Sequence, residues 1–490
     1  MKINELKPKN VWKFFEEISQ IPRCSGDEKA ISDYLLDFAK KRNLEARQDE
    51  ALNIVMRKKA SPGFEDKDII ALQAHMDMVC VKEDDSDHDF SKDPIKLIVD
   101  GDYVTADKTT LGADDGMGVA YILAVFDDEN LKHGPLEAII TTGEETSMVG
   151  ANALDTSDIK AKYLLNIDSE EDGILTVGCA GGLDLEITWA NEFEEKEGQV
   201  LKLEISGLSG GHSGMEIDKA RLNAIKALGR LLVDIKDLQI CDFSAGVKRN
   251  AIAANAWAIF TTSDKENSTE EINKRISQIL NEYKDTDPNA KISLKECSWD
   301  DKALSKELSK NIINALFTMP DGLVKKHQGE IITSSNLGIL NHDENGTLVS
   351  LMARSQIDSA KENLAKIAIK IVEQFAGKAT IKSSYTGWQK EETKLEKVLN
   401  EIWKEENGSD MEIATTHGGL ECGLFKGTLK EVEMISFGPE IHGAHSPAEE
   451  VDIKSVEKNY KLLVKALERI WKINQLGPTF SQADFSFNYF

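Results

Sequence analysis

No stretch of this sequence is apolar for the roughly 20 residues that a membrane-spanning helix needs, and runs such as GVAYILAVF at 118–126 stop well short of that length. A soluble protein is expected. Positive charge is scarce: 59 lysines and arginines face 85 aspartates and glutamates, a formal net charge of −26. A field of that sign repels phosphate backbones and anionic lipid surfaces, which argues against nucleic acid or a membrane as partner. The six cysteines (Cys24, Cys80, Cys179, Cys241, Cys297, Cys422) include no CxxC pair. They read as buried free thiols, not as a disulfide frame or a structural zinc knot. The start, MKINELKPKN, lacks an apolar leader, so a cytoplasmic location is expected. What the chain does have is globular in kind. Hydrophobic residues make up 41% and charged residues 29%, which excludes a disordered or collagen-like polymer. At one domain per roughly 100 to 200 residues, a length of 490 predicts two or three domains.

Periodicity divides the chain into two textures. NVWKFFEEISQIP and EKAISDYLLDFAKKRNL read as helices, the second with Ile31, Leu35 and Phe38 at helical spacing. DIIALQAHMD, PLEAIITTGEE and KYLLNIDSEE read as short buried strands, and GVAYILAVFDDE as an apolar-faced helix between them. Such alternation predicts an α/β layer with a largely parallel or mixed sheet, whose ligands sit outside the carboxyl ends of the strands. From about residue 184 the pattern becomes alternating strands followed by an amphipathic helix, DKARLNAIKALGRLLVDI, and a similar strand, strand, helix stretch recurs from TSSNLGILNHDENG onward. After about residue 386 the α/β texture returns with EVEMISFGPEIHGAHS and SVEKNYKLLVKALERIW. The expected organisation is a catalytic domain built from 1–183 and 386–490, interrupted by an inserted α+β domain at 184–385. The tail NQLGPTFSQADFSFNYF either docks or is disordered.

Polar residues gather where the strands of the α/β part end: His75 and Asp77, Asp114 and Asp115, Glu144 and Glu145, and Asp168, with His445 in the C-terminal segment. Imidazoles with carboxylates suit a divalent metal such as zinc, manganese or cobalt. There are more carboxylates than one tetrahedral ion needs, whereas two ions sharing a bridging carboxylate would use them all. Neighbouring residues of an extended segment point to opposite sides, so Glu145 is able to face a metal while Glu144 faces a substrate.

Eight blocks in order, ALQAHMDMV, TTLGADDGMGVA, TTGEETSMVGA, LLNIDSEEDGILTVGCAGG, GLSGGHSG, RNAIA, HGGLECGLF and GAHSPAEEV, resemble the aminoacyl-histidine dipeptidases, also called cytosol non-specific or Xaa-His dipeptidases. These belong to the clan of co-catalytic di-zinc peptidases, and the resemblance runs from about residue 5 to 473. It implies a mixed-sheet phosphorylase/hydrolase-like catalytic domain with an inserted α+β lid, two divalent ions (Zn2+, with Mn2+ or Co2+ as alternatives) and a small peptide substrate. By the same resemblance Asp114 bridges the ions, His75 and Asp168 complete one shell, and Glu145 and His445 complete the other. Asp77 is implied to orient the His75 imidazole, and Glu144 to be the general base. His212 matches the lid histidine that helps hold the oxyanion, while Asn250, Arg354 and Gly419 match positions that hold the substrate. A cis peptide bond between Asp114 and Asp115 is also implied. Two departures stand out: Asp115 where the family commonly has Asn, and Ala253 where it commonly has Pro.

Other features read as ordinary structure. KEDDSDHDF at 82–90 lacks EF-hand spacing and reads as a solvated loop with His88 exposed. His133, His327 and His342 read as surface residues, and Met76 and Met78 as core. His417 and His442 lie in blocks near the expected site, either supporting it or elsewhere. The rival readings are an N-acyl amino acid deacylase or tripeptidase with the same metal core, and a metal-binding relative without catalysis. Oligomeric state is not legible, and a homodimer through the inserted domain is left open.

Overall fold

The strands that carry the expected site residues are buried on both faces. Ile70–His75, Leu136–Thr141 and Tyr163–Asn166 are buried at every position, as parallel strands covered on both sides require. The computed structural model describes residues 2–471, so the aromatic tail lies outside the described residues. These strands form the middle of an eight-stranded sheet in the order Glu45–Gln48, Ile54–Lys58, Leu136–Thr141, Ile70–His75, Tyr163–Asn166, Glu433–Ser436, Ile174–Cys179, Glu412–Thr416. Pairing is parallel from Leu136–Thr141 to Glu433–Ser436 and antiparallel at Glu45–Lys58 and Ile174–Cys179. The sheet is thus mixed. The helix Ala113–Asp127 is buried continuously from Asp115 to Phe126, which explains why its sequence is apolar throughout and not on one stripe.

The chain divides into two compact units. One takes the described residues up to Gly178, Lys390–Thr415 and those from Leu420 onward; the other takes Cys179–Gln389 and Thr416–Gly419. The change of texture read at 184 falls inside the strand Gly181–Trp189, which pairs along its length with Gly346–Ser355 and Lys378–Ser384. The short piece 416–419 joins the second unit because Ala180 donates its N–H to the carbonyls of Thr416 (3.1 Å) and Gly418 (3.2 Å). This unit is an antiparallel sheet of nine strands, with its apolar side covered by helices that include Ala224–Leu232, Lys306–Thr318 and Asp358–Gln374.

Three expectations are corrected. Cys24 and Cys80 form a disulfide, their Cα atoms 5.6 Å apart, because the segment at Cys24 bridges to Met78 and brings together residues 56 positions apart. His133 is buried, its Nδ1 2.7 Å from the carbonyl of Gly134. His88 is half-buried against Phe90, with ring centroids 4.5 Å apart.

Candidate active site

Most catalytic candidates of the first unit sit at the end of a buried strand or in the loop that follows one. His75 ends Ile70–His75, Glu144 and Glu145 follow Leu136–Thr141, and Asp168 follows Tyr163–Asn166. Asp114 lies at the start of the helix Ala113–Asp127, where its own φ/ψ is non-helical and the Asp114–Asp115 bond is cis. Chain return brings His445 to the same place across 331 residues.

The geometry centres on Asp114. Its Oδ1 lies 3.1 Å from His75 Nε2 and its Oδ2 lies 3.2 Å from His445 Nε2. One carboxylate therefore faces two imidazoles, one with each oxygen. His75 Nε2 is also 3.3 Å from Asp168 Oδ1, and His445 Nε2 is 2.9 Å from Glu145 Oε1. Besides the set His75, Glu144, Glu145, two sets of donor atoms share Asp114, namely His75, Asp114, Asp168 and Asp114, Glu145, His445, with the atoms of each set within 4.8 Å of one another. Asp77 supports both. Its Oδ1 lies 3.4 Å from His75 Nδ1, and its two oxygens accept the N–H groups of Glu144 (3.1 Å) and Glu145 (3.3 Å). Ser25 Oγ donates to Asp77 at 2.7 Å.

Burial and neighbours set the charges. Burial pushes Glu144 well above the ordinary carboxyl range, with Asp168, Glu145 and Glu421 adding to the rise and His75 opposing it. Burial likewise raises Glu145, and it pushes Asp168 up to about 6 against the pull of His75. On His75 burial acts downward, yet Asp168, Asp114 and Asp77 override it and hold the imidazole well above its usual value. Asp114 is lowered despite burial, by bonds to His445 and His75. Bonds to Asp114 and Glu145 push the half-exposed His445 up to about 11. Carboxylates packed around imidazoles in this way require positive charge. Protons on the rings meet that need in metal-free protein, and divalent cations meet it with neutral imidazole and ionised carboxylate as ligands. The donor set fits a pair of such ions.

The remaining candidates lie in the second unit. His212 accepts the N–H of Met215 at its Nδ1 (3.2 Å), and the adjacent Ser213 donates its N–H to the Asn250 carbonyl (2.8 Å), which brings those two candidates together. Arg354 is buried, with Nη1 donating to the Tyr385 hydroxyl at 3.3 Å and Nε unpaired. It sits opposite Ser334 in the sheet, whose hydroxyl is 2.7 Å from Nε2 of buried His417, two residues before Gly419. Burial, then Arg354, lowers His417 to about 4, so its ring is neutral near pH 7. His442 lies elsewhere, exposed between Glu440 and Glu450. Sequence reasoning missed Ser25, Tyr385 and Glu421. The last is fully buried, accepting from Gln73 Nε2 (2.5 Å) and Thr141 Oγ1 (2.6 Å). Nothing in the local pattern of HGGLECG distinguishes that side chain from an ordinary helix-start glutamate.

A mixed α/β sheet with imidazoles and carboxylates collected beyond its parallel strands defines a metal-dependent hydrolase. Residues 71–469 match the model of the peptidase family M20/M25/M40. Over 482 residues the chain is 36% identical to the cytosol non-specific dipeptidase of Escherichia coli (strain K12), covering 96% of this chain and 99% of that protein. The crystal structure of aminoacylhistidine dipeptidase from Vibrio alginolyticus matches with a TM-score of 0.85 at 34% identity, covering 96% of this chain and 98% of that one. A tripeptidase from Staphylococcus aureus, at 17% identity and a TM-score of 0.59 over 95% of this chain and 99% of its own, shares the fold. The chain belongs to the peptidase family M20/M25/M40.

Proposed function

We propose that this protein is a cytoplasmic dipeptidase that cleaves Xaa-His and other dipeptides carrying a free C-terminal carboxylate. The observation that carries the reading is Asp114, which presents one oxygen to His75 at 3.1 Å and the other to His445 at 3.2 Å. His75, Asp114 and Asp168 would hold one divalent ion and Asp114, Glu145 and His445 the other, zinc in the first instance and manganese or cobalt as alternatives. When bound, such a pair polarises the peptide carbonyl and lowers the pKa of water toward neutrality.

The chain's own residues do the rest. Glu144 takes the proton of the attacking water and passes it to the departing amine. Asp77 holds the His75 ring and, through two backbone N–H groups, the turn that carries Glu144 and Glu145. His212 is assigned to the oxyanion, Asn250 and Gly419 to the substrate backbone, and Arg354 to the C-terminal carboxylate, for which its planar fork keeps donors free.

Full-length likeness to a dipeptidase favours this reading over a deacylase or tripeptidase, and Glu144 in place speaks against a relative without catalysis. The test is a panel of dipeptides, including beta-alanyl-histidine, beside tripeptides and N-acyl amino acids, each assayed with zinc, manganese and cobalt. Glu144→Gln should retain two metal ions and lose about 10² to 10⁴ in turnover. Cleavage of tripeptides or N-acyl amino acids with no dipeptide turnover overturns the substrate class, and near-normal rates in the variant exclude Glu144 as the base. Sedimentation equilibrium decides whether a homodimer forms.

A further inference from the structure

The segment Leu111–Asp114 carries the bridging aspartate on four consecutive amides that all converge on one side chain. Glu449, 2% exposed, accepts from Leu111 N (2.8 Å) and Gly112 N (2.9 Å) at Oε2, and from Ala113 N (2.7 Å) and Asp114 N (3.4 Å) at Oε1. Gly112, at φ +69°, turns the chain so that successive N–H groups point inward, the concave arrangement of backbone amides that captures anions. Here the anion is part of the chain.

The opposite edge of the segment is held by buried Arg23. Its Nη2 donates to the Gly112 carbonyl (2.5 Å), and its Nη1 to the carbonyls of Met76 (3.1 Å) and Asp77 (3.2 Å), just past His75. A Cβ at Gly112 would lie 2.5 Å from Arg23 Nη2, and one at Gly116 would lie 2.6 Å from it. The segment is thus gripped through its amides by Glu449 and through a carbonyl by Arg23. Glu449 also stands four residues past His445. Its own N–H closes a turn onto the Ser446 carbonyl (3.1 Å), and its carbonyl accepts from Thr105 Oγ1 (2.8 Å). One side chain therefore ties the loop of His445 to the loop of Asp114.

We propose that Glu449 is a positioning residue that sets the spacing between Asp114 and His445 and thereby the affinity for the ion on the His445 and Glu145 side. This rests on the two-ion reading above. A glutamine at 449 keeps the shape but offers one acceptor oxygen, and its NH2 group faces two backbone donors. The tie then loosens on the His445 side, and that loop moves relative to Asp114, which Arg23 still holds beside Met76 and Asp77. Outer residues that orient metal ligands typically contribute 10- to 100-fold in metal affinity.

Calorimetric titration of metal-free protein with Zn2+ tests this without reference to activity. Wild type should bind two ions, and Glu449→Gln should keep one affinity while weakening the other by about 10- to 100-fold. Glu449→Asp, with the charge retained on a shorter arm, should fall between. In a His445→Ala background, which already lacks the affected site, Glu449→Gln should leave the remaining ion's affinity unchanged. Equal weakening of both ions, or of neither, overturns the positioning role, whereas a wild type that binds fewer than two ions overturns the two-ion reading and this proposal with it. Should Glu449→Gln not fold, amide hydrogen exchange on metal-free wild type decides. Slow exchange at 111–114 supports the grip, and exchange as fast as in exposed loops refutes it.

Discussion

His445 and His75 present the same chemistry in opposite settings. His75 is fully buried and braced from behind by Asp77, whereas His445 is half-exposed, at a positive φ of 63°. His445→Ala should therefore remove one ion and leave the other, since His75 and Asp168 remain. Metal analysis of the dialysed variant gives the answer, and two tightly held ions would exclude His445 from the site. Arg354 makes a different prediction. Its fork matches a carboxylate in two bonds that an ammonium cannot reproduce, so Arg354→Lys should raise KM for dipeptides while metal content stays at the wild-type value. Equal cleavage of dipeptides and dipeptide amides by the wild type would remove the role. The identities of these residues were legible because they stand in recognisable blocks. Glu449 and Arg23 were not, because a glutamate in PAEEV and an arginine in IPRCSG look like surface residues until the loops they hold are in place.

At the scale of elements, the buried strands read correctly because a parallel strand covered on both faces is a continuous apolar run. Glu45–Gln48 and Ile54–Lys58 went unread, since the first is partly exposed and consists largely of polar residues. The helix read from DKARLNAIKALGRLLVDI is shorter than its pattern, running Ala224–Leu232. Asn223 is the reason: its side chain accepts from Ile225 N and starts the helix there, while its Nδ2 donates to Asp321 Oδ1 (2.9 Å) and the Leu337 carbonyl (2.9 Å). Burial pushes Asp321 up to about 6, against the Leu337 N–H, Lys226 and Asn223. A carboxyl with a higher pKa folded than unfolded makes the native state bind more protons between the two values, so stability falls as pH rises from about 4 to about 6. Both donors reach Oδ1, so Asp321→Asn keeps both bonds without the charge. Urea denaturation should show that variant to be more stable at pH 7 and less dependent on pH across that window. A variant less stable than wild type at pH 7 would contradict the assignment.

For the whole molecule, each unit has its own apolar core, one including Trp12, Phe15, Tyr121 and Phe437 and the other Leu228, Phe243, Phe260 and Leu316. The candidate ligands all belong to the first. A ligand that binds only the native state stabilises by mass action, about 2.7 kcal/mol at one hundred times its dissociation constant. Differential scanning calorimetry with and without a chelator should therefore show one transition moving down and another staying in place. A uniform shift would mean that the two units unfold together.

By itself the sequence determined the family, the alternation of strands and helices, and the identities of the metal-ligating candidates. Each of these is written in local spacing: a period of two or 3.6 residues, or a short block with its own chemistry. Tertiary structure decided what depends on distant segments meeting. It paired Cys24 with Cys80, buried His133, moved 416–419 into the second unit, and set Glu449 under the loop of Asp114. Asp114 and His445 are 331 residues apart, and no local pattern encodes that separation closing to 3.2 Å. Long-range packing closes it, because only the folded sheet brings the carboxyl ends of its strands and the returning C-terminal loop to one place.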